Sequence, residues 1–238
     1  MELSKRMKAV ADMVTPGSVV ADVGCDHGFV SIYLYEKKIA PKVLAMDVRK
    51  GPLLRAEEHI KVRGFSSYIE TRLSDGVKEL NYGEADTLIC AGMGGRLMAK
   101  ILEEGYDKVI KMKELILQPQ SDIPFFRQFL RSHFLQIVQE SMIKEEGKYY
   151  IIMKAVYVKE KPVQQRLELQ RLYDYFGPCL IKEKNQVLQE YLVMLLERNQ
   201  SILAQIADQQ NSNRKRMRLQ EIIEENKDIE TCLEYLRG

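Results

Sequence analysis

The sequence predicts an α/β protein: an open, largely parallel sheet wrapped by helices over residues 1–160, then a helical antiparallel coiled-coil region over residues 161–238. Three observations predict it. Short β-rich runs alternate with helical patterns through the first part, the sign of a parallel sheet with crossover helices. Two β-rich runs then flank Glu145-Glu146-Gly147, a hairpin signal that closes the sheet with an antiparallel pair. From about Pro162 glycine becomes scarce, and glutamine, charge and helix formers take over.

In chain order the strand candidates are SVVADVG, KVLAMD, YIETRL, DTLICAG and ELILQP, and the helix candidates between them are FVSIYLYEKK, LLRAEEHIKVR, GRLMAKILEEG and PFFRQFLRSH. In the helical region Leu188, Leu192, Leu195, Asn199, Ile202 and Ile206 form one seam. Leu219, Ile222, Asn226, Ile229, Leu233 and Leu236 form a second. Both step by three and four residues, as a coiled-coil seam does. Folding back at the polar stretch QQNSN pairs Ile206 with Leu219, Ile202 with Ile222 and Leu192 with Leu233, and sets Asn199 opposite Asn226. A buried asparagine pair lowers stability and fixes alignment.

Composition narrows the function classes. With 36 basic and 34 acidic residues the net charge is +2, so any nucleic-acid surface must be a local patch. No apolar run reaches the roughly 18 residues of a membrane span. The basic, amphipathic start lacks the features of a secretion signal. Four cysteines lie far apart without a C-x-x-C pair, which disfavours a disulfide framework or zinc site and suits a reducing cytoplasm.

The chemistry concentrates at the strand ends. Asp22-x-Gly24-x-x-x-Gly28 follows the first strand, and Asp47 ends the second, 25 residues after Asp22. An acid there suits ribose hydroxyls, and the helix opening near Gly28 brings a positive N-terminus toward the ligand. A dinucleotide fingerprint needs a second glycine two residues after Gly24, where a pyrophosphate would lie. Asp26 stands there instead. A carboxylate repels a pyrophosphate but suits S-adenosylmethionine, which carries an ammonium and a sulfonium and no phosphate. Asp26 has a second reading as a cap of the following helix. Asp75 in LSDGV is placed to accept from an adenine amino group, CAGMGG (90–95) permits close backbone approach, and LQPQ ends the fifth strand.

These residues resemble the bacterial tRNA (adenine-22, N1)-methyltransferases, a class I S-adenosylmethionine-dependent family. The matching stretches are LSKRM, ADVGCDHG, GPLLRAEEHI, EADTLICAGMGGRLMAKILEEG, ELILQPQ, EEGKYYIIM and FGPCLIKEKN. The resemblance implies a Rossmann-like methyltransferase sheet with a C-terminal helical coiled-coil domain, and makes Asp26 and His27 usual for the family. The sequence departs at Asp47, where glutamate is expected, and at Gln120, where asparagine is expected.

The expected activity is transfer of a methyl group to N1 of adenine 22 in tRNA. N1 lies on the Watson–Crick edge, so the base must be unpaired or turned out. The product ring is cationic until it loses a proton, and a carboxylate such as Asp26 would stabilise that charge or take the proton. Asp26 and His27 are the catalytic candidates, with His27 open between base and hydrogen-bonded support. Cofactor-binding candidates are Asp22, Gly24, Cys25, Asp26, Gly28, Asp47, Val48, Asp75, Gly76, Ala91, Gly92 and Met93. Substrate candidates are Lys5, Arg6, Gly94, Gly95, Arg96, Gln118, Gln120, Arg214 and Lys215. Exocyclic-amine methylation typically uses an N/D-P-P-Y/F tetrad where this chain has AGMGG, and Cys90 and Cys179 read as packing residues rather than nucleophiles. The competing readings are a non-catalytic RNA-binding protein on the same fold and a small-molecule methyltransferase. A cytoplasmic monomer with tRNA as partner, no metal and no membrane contact is expected.

Overall fold

The computed structural model describes residues 2–160, 166–207 and 213–237. The chain divides into two compact units, Met1–Gln164 and Gln165–Gly238.

The first unit opens with α1 (Lys5–Asp12), whose N-cap Ser4 hydroxyl accepts the Met7 N–H at 3.3 Å. β1 (Val20–Val23) and β2 (Val43–Asp47) are buried along their whole length, as strands covered on both faces must be. α2 (Phe29–Glu36) and α3 (Lys50–Val62) make the crossovers to β2 and β3 (Ile69–Leu73). β4 (Thr87–Met93), α4 (Gly95–Glu104), the short α5 (Tyr106–Val109), β5 (Glu114–Pro119) and α6 (Ile123–Ser132) continue the alternation. β6 (Leu135–Glu145) and β7 (Lys148–Tyr157) form the closing hairpin. Glu146 and Gly147 turn it with φ of 50° and 76°, the left-handed pair that a two-residue hairpin loop requires.

Among the described residues the strands form one seven-stranded sheet, in the order β3-β2-β1-β4-β5-β7-β6. The first five are parallel, β7 runs antiparallel to β5, and β6 pairs antiparallel with β7. The connection order reverses between β1 and β4, so the crevice beyond their carboxyl ends is where a ligand belongs. α6 is tied to β6 by a buried ion pair, Arg127 Nη2 to Glu140 Oε1 at 2.8 Å.

The second unit contains α7 (Leu167–Phe176), α8 (Pro178–Lys182), α9 (Gln186–Ala207) and α10 (Asn213–Arg237). The predicted seam residues Leu188, Leu192, Leu195, Ile222, Ile229, Leu233 and Leu236 are buried. Asn199 Nδ2 donates to Asn226 Oδ1 at 2.9 Å, so the two amides share the layer that the sequence register assigned to them. All but the last residue of the QQNSN turn, and the Ile206 side chain, lie outside the described residues.

Asn199 Oδ1 is buried with no hydrogen-bond partner among the described residues. An unsatisfied buried acceptor costs about 1–3 kcal/mol, and apolar replacement of both partners relieves it. The double substitution Asn199→Leu with Asn226→Leu is therefore expected to raise the thermal midpoint of the protein by a few degrees. A lower midpoint would overturn this account of the pair.

Candidate functional site

A cleft of about 460 Å³ opens at the β1/β4 switch point, within the size range of small-molecule sites. Its floor is built by the turn after β1. Gly24 and Cys25 both donate their N–H groups to the Met46 carbonyl, at 2.8 and 3.0 Å, and Gly28 donates to Cys25 O at 2.8 Å. Gly24 (φ 75°) lies under Met93; a Cβ there would come within 2.1 Å of the Met93 methyl. Between the two glycines Asp26 is itself left-handed, with φ 50°. A non-glycine residue in that region is strained by about 1–2 kcal/mol, a cost that a site can retain for function.

Asp47 closes the side of the cleft beyond β2. It is buried at the end of β2, and its carboxylate accepts the Arg49 N–H at 2.8 Å and the Asp26 N–H at 3.3 Å. Ser74, Asp75 and Gly76 line the wall after β3, where Asp75 is ion-paired with Lys78 and its carboxyl is held below the usual range by that lysine. Across the cleft the β4–β5 ladder slips between Ala91 and Met93, and Gly92 takes φ 78°. Such a bulge re-aims the strand end. The freed Gly92 N–H donates to Gln118 Oε1 at 3.0 Å, and Arg6 Nη1 donates to the same oxygen at 3.0 Å. Arg6 also lies over the Tyr150 ring, 5.2 Å from its centroid. The charged lining is thus Asp26, Asp47 and Asp75 against Arg6 and Arg49.

Of the residues singled out from the sequence, Arg6, Gly24, Asp26, Asp47, Val48, Asp75, Gly76, Ala91, Gly92, Met93 and Gln120 all line this cleft. Others stand behind it or away from it. Gln118 is buried and supports Gly92 and Arg6. Cys25 is buried in the turn, and burial pushes its thiol up; burial likewise raises Cys90 to about 12, which leaves neither as a ready nucleophile. Gly28 is the N-cap of α2 and packs against Ala56 of α3. No side chain caps α2, so Asp26 does not serve the capping role read for it. Gly94 and Gly95 form the turn into α4 against Ser121 and Asp122, and Arg96 pairs with Asp122 at 3.0 Å. The Lys5 backbone N–H donates to Glu145 at 2.5 Å. His27 is outside the cleft lining; its ring stacks with Phe29 and His59. Lys215 lies on α10 in the second unit, and the Arg214 side chain is outside the described residues.

The sequence reading passed over Met7, Val23, Ser74, Leu97 and Ile101, which with Arg49 complete the lining. Leu97 and Ile101 sit one helical turn apart on α4, a face that becomes legible once the glycine loop is known to end at that helix.

Asp22 lies behind the floor, buried, with the Ser31 hydroxyl donating to it at 2.6 Å. Burial, only partly opposed by that hydrogen bond, pushes its carboxyl up to about 6. Between pH 4 and pH 6 the unfolded chain therefore ionises Asp22 while the folded chain keeps the proton. Its contribution to stability is full at low pH and is lost as pH rises through this window, by roughly 2 kcal/mol. Asp22→Asn should remove the decline: from pH 4 to pH 7 its unfolding free energy, measured in urea, gains about 2 kcal/mol relative to the parent protein. Equal differences at both pH values would refute the assignment.

The comparisons agree with this geometry. Residues 3–153 match the family model described as a methyltransferase domain. The tRNA (adenine(22)-N(1))-methyltransferase of Bacillus subtilis (strain 168) is 33% identical over 222 residues, covering 93% of each chain. This chain belongs to that methyltransferase family. The solved B. subtilis m1A22 tRNA methyltransferase superposes with a TM-score of 0.82 at 31% identity, covering 98% of this chain and 99% of the other. Streptococcus pneumoniae Sp1610, solved in complex with S-adenosyl-L-methionine, matches with a TM-score of 0.82 at 30% identity, over 98% and 100% of the two chains. A cleft lined by three carboxylates and by Gly24, Gly76 and Gly92 fits the cationic donor that this family uses.

Proposed function

We propose that the protein transfers the methyl group of S-adenosylmethionine to N1 of adenine 22 in tRNA. What carries this reading is the position of the cleft, at the switch point of a family sheet with Asp26 in place of the pyrophosphate-binding glycine. The similarity to the B. subtilis enzyme also runs across both units of the chain rather than the sheet alone. On this reading the protein works in the cytoplasm, as a monomer, on folded tRNA.

Asp47, held by two backbone N–H groups, has acceptor capacity left for a ribose diol. On this reading Asp75, in the wall after β3, accepts from the adenine amino group of the donor. The left-handed backbones of Gly24, Gly76 and Gly92 let the ligand approach the chain closely. The bound donor supplies an electrophilic methyl on a sulfonium. Asp26 lines the cleft, and on this reading its carboxylate stabilises the positive ring that forms as N1 takes the methyl, or accepts the proton that the ring releases. Arg6, held by Gln118 and Tyr150, lines the cleft and on this reading takes a phosphate beside the target base. Arg96, Arg214 and Lys215 extend the expected RNA contacts.

Incubation with labelled donor and unmodified tRNA, followed by digestion to nucleosides, tests the proposal. Label is expected in 1-methyladenosine, and changing adenine 22 to guanine should abolish it. Label confined to free metabolites would support a small-molecule enzyme, and none at all a binding protein.

A further inference from the structure

Three rings meet beside the cleft. His27 and Phe29 lie 5.6 Å apart at 11°, Phe29 and His59 5.1 Å apart at 15°, and His27 and His59 6.0 Å apart at 26°. Three nearly equal separations with near-parallel planes make a broad, offset patch rather than a column. His59 Nδ1 lies 3.0 Å from the His27 carbonyl; since a carbonyl only accepts, Nδ1 carries the proton and the bond locks α3 to the β1–α2 turn. The patch is therefore anchored to two elements, yet it is not core. Phe29 is 41% exposed and the His27 side chain 33%. It adjoins the cleft through Asp26, whose Oδ2 is 3.6 Å from His27 Nε2.

The segment that carries His59 is net basic. Between positions 49 and 63 stand Arg49, Lys50, Arg55, Lys61 and Arg63 against Glu57 and Glu58. Arg55, His59 and Arg63 recur every four residues on one side of α3 and its C-cap, and the Arg63 guanidinium donates to the His59 carbonyl at 3.3 Å. Aromatic faces within a basic surface are how proteins hold unpaired bases while gripping the backbone.

We propose that His27, Phe29 and His59 form a stacking platform for an unpaired base of the substrate RNA next to the target adenine, with Arg55 and Arg63 on its phosphates. The proposal rests on the RNA-methylation reading, and gives His27 a positioning role instead of that of a base. An anchored aromatic seat for a neighbouring nucleotide would keep the extruded target from reclosing into its helix.

The chain has no tryptophan, so Phe29→Trp introduces a sole indole reporter. Stacking predicts that tRNA quenches its emission at the concentrations at which the tRNA binds, while Tyr82→Trp, on the exposed loop leading into β4, is unaffected. Phe29→Ala should raise KM for tRNA about tenfold, leave donor affinity unchanged, and be rescued to within about twofold by Phe29→Tyr. Methyl transfer by the parent protein without quenching in Phe29→Trp, and with KM in Phe29→Ala within about twofold, overturns the platform. Quenching without methyl transfer overturns the proposed reaction and retains the platform. If neither occurs, both fall.

Discussion

Substituting Asp26 is expected to separate stability from activity in opposite directions. Asp26→Gly relieves a left-handed backbone at φ 50°, and should stabilise the fold by about 1 kcal/mol. The same change removes the carboxylate proposed to stabilise the cationic ring, and should lower kcat roughly 100-fold, within the usual range for a positioned acid or base. Asp26→Asn keeps a side chain that tolerates the left-handed region but not the charge, so it should share the loss of turnover without the gain in stability. The informative readout is the split between parameters. Unchanged donor affinity with a lower kcat supports charge stabilisation. Weakened donor affinity with kcat intact would instead assign Asp26 to gripping the donor's ammonium, and would overturn its role toward the methylated ring.

Asp47→Asn should weaken S-adenosylmethionine binding by roughly 30- to 100-fold. The Asp47 carboxylate sits buried between the Arg49 and Asp26 N–H groups, both of which it accepts. An amide has one oxygen for what two carboxylate oxygens do, and its NH₂ group would face either a backbone N–H or a ribose hydroxyl. Hydrogen bonds to a charged acceptor contribute about 1.5–3 kcal/mol, which sets the size of the loss. Asp47→Glu, the residue expected from the family pattern, should retain most of the affinity. Calorimetric titration of the donor decides it, and an asparagine variant within twofold of the parent protein would remove Asp47 from the ribose site.

Much of this arrangement was legible before folding because it is local. Strand ends, left-handed turns and the interval from Asp22 to Asp47 are short-range features, and side-chain period alone assigns the alternating elements. The register of Asn199 with Asn226 was legible for a related reason: two seams joined by a short turn have few ways to align. Other features depend on chain segments far apart in sequence. Arg6 reaches the cleft through Gln118, 112 positions later, and no local pattern encodes that hydrogen bond. Likewise Gln118 ends a strand as expected, yet its side chain turns beneath the bulge at Gly92 and supports the wall instead of forming it.

Asp22 and His27 show the same division at the residue level. The sequence identified Asp22 as part of a ligand motif; the packing of α2 over β1 buries it against Ser31 and raises its carboxyl toward neutrality. It read His27 as either base or support, and the fold turns that ring onto Phe29 and His59 outside the cleft lining. By itself the sequence determined the fold class and pointed to the donor chemistry, because glycine torsions, charge type and residue period act within a few positions, while the family was legible only through the resemblance of its motifs. Which side chains face the ligand, which stand behind it and which form a second surface beside it was decided only by tertiary packing, since burial and contact depend on elements that the chain brings together from a distance.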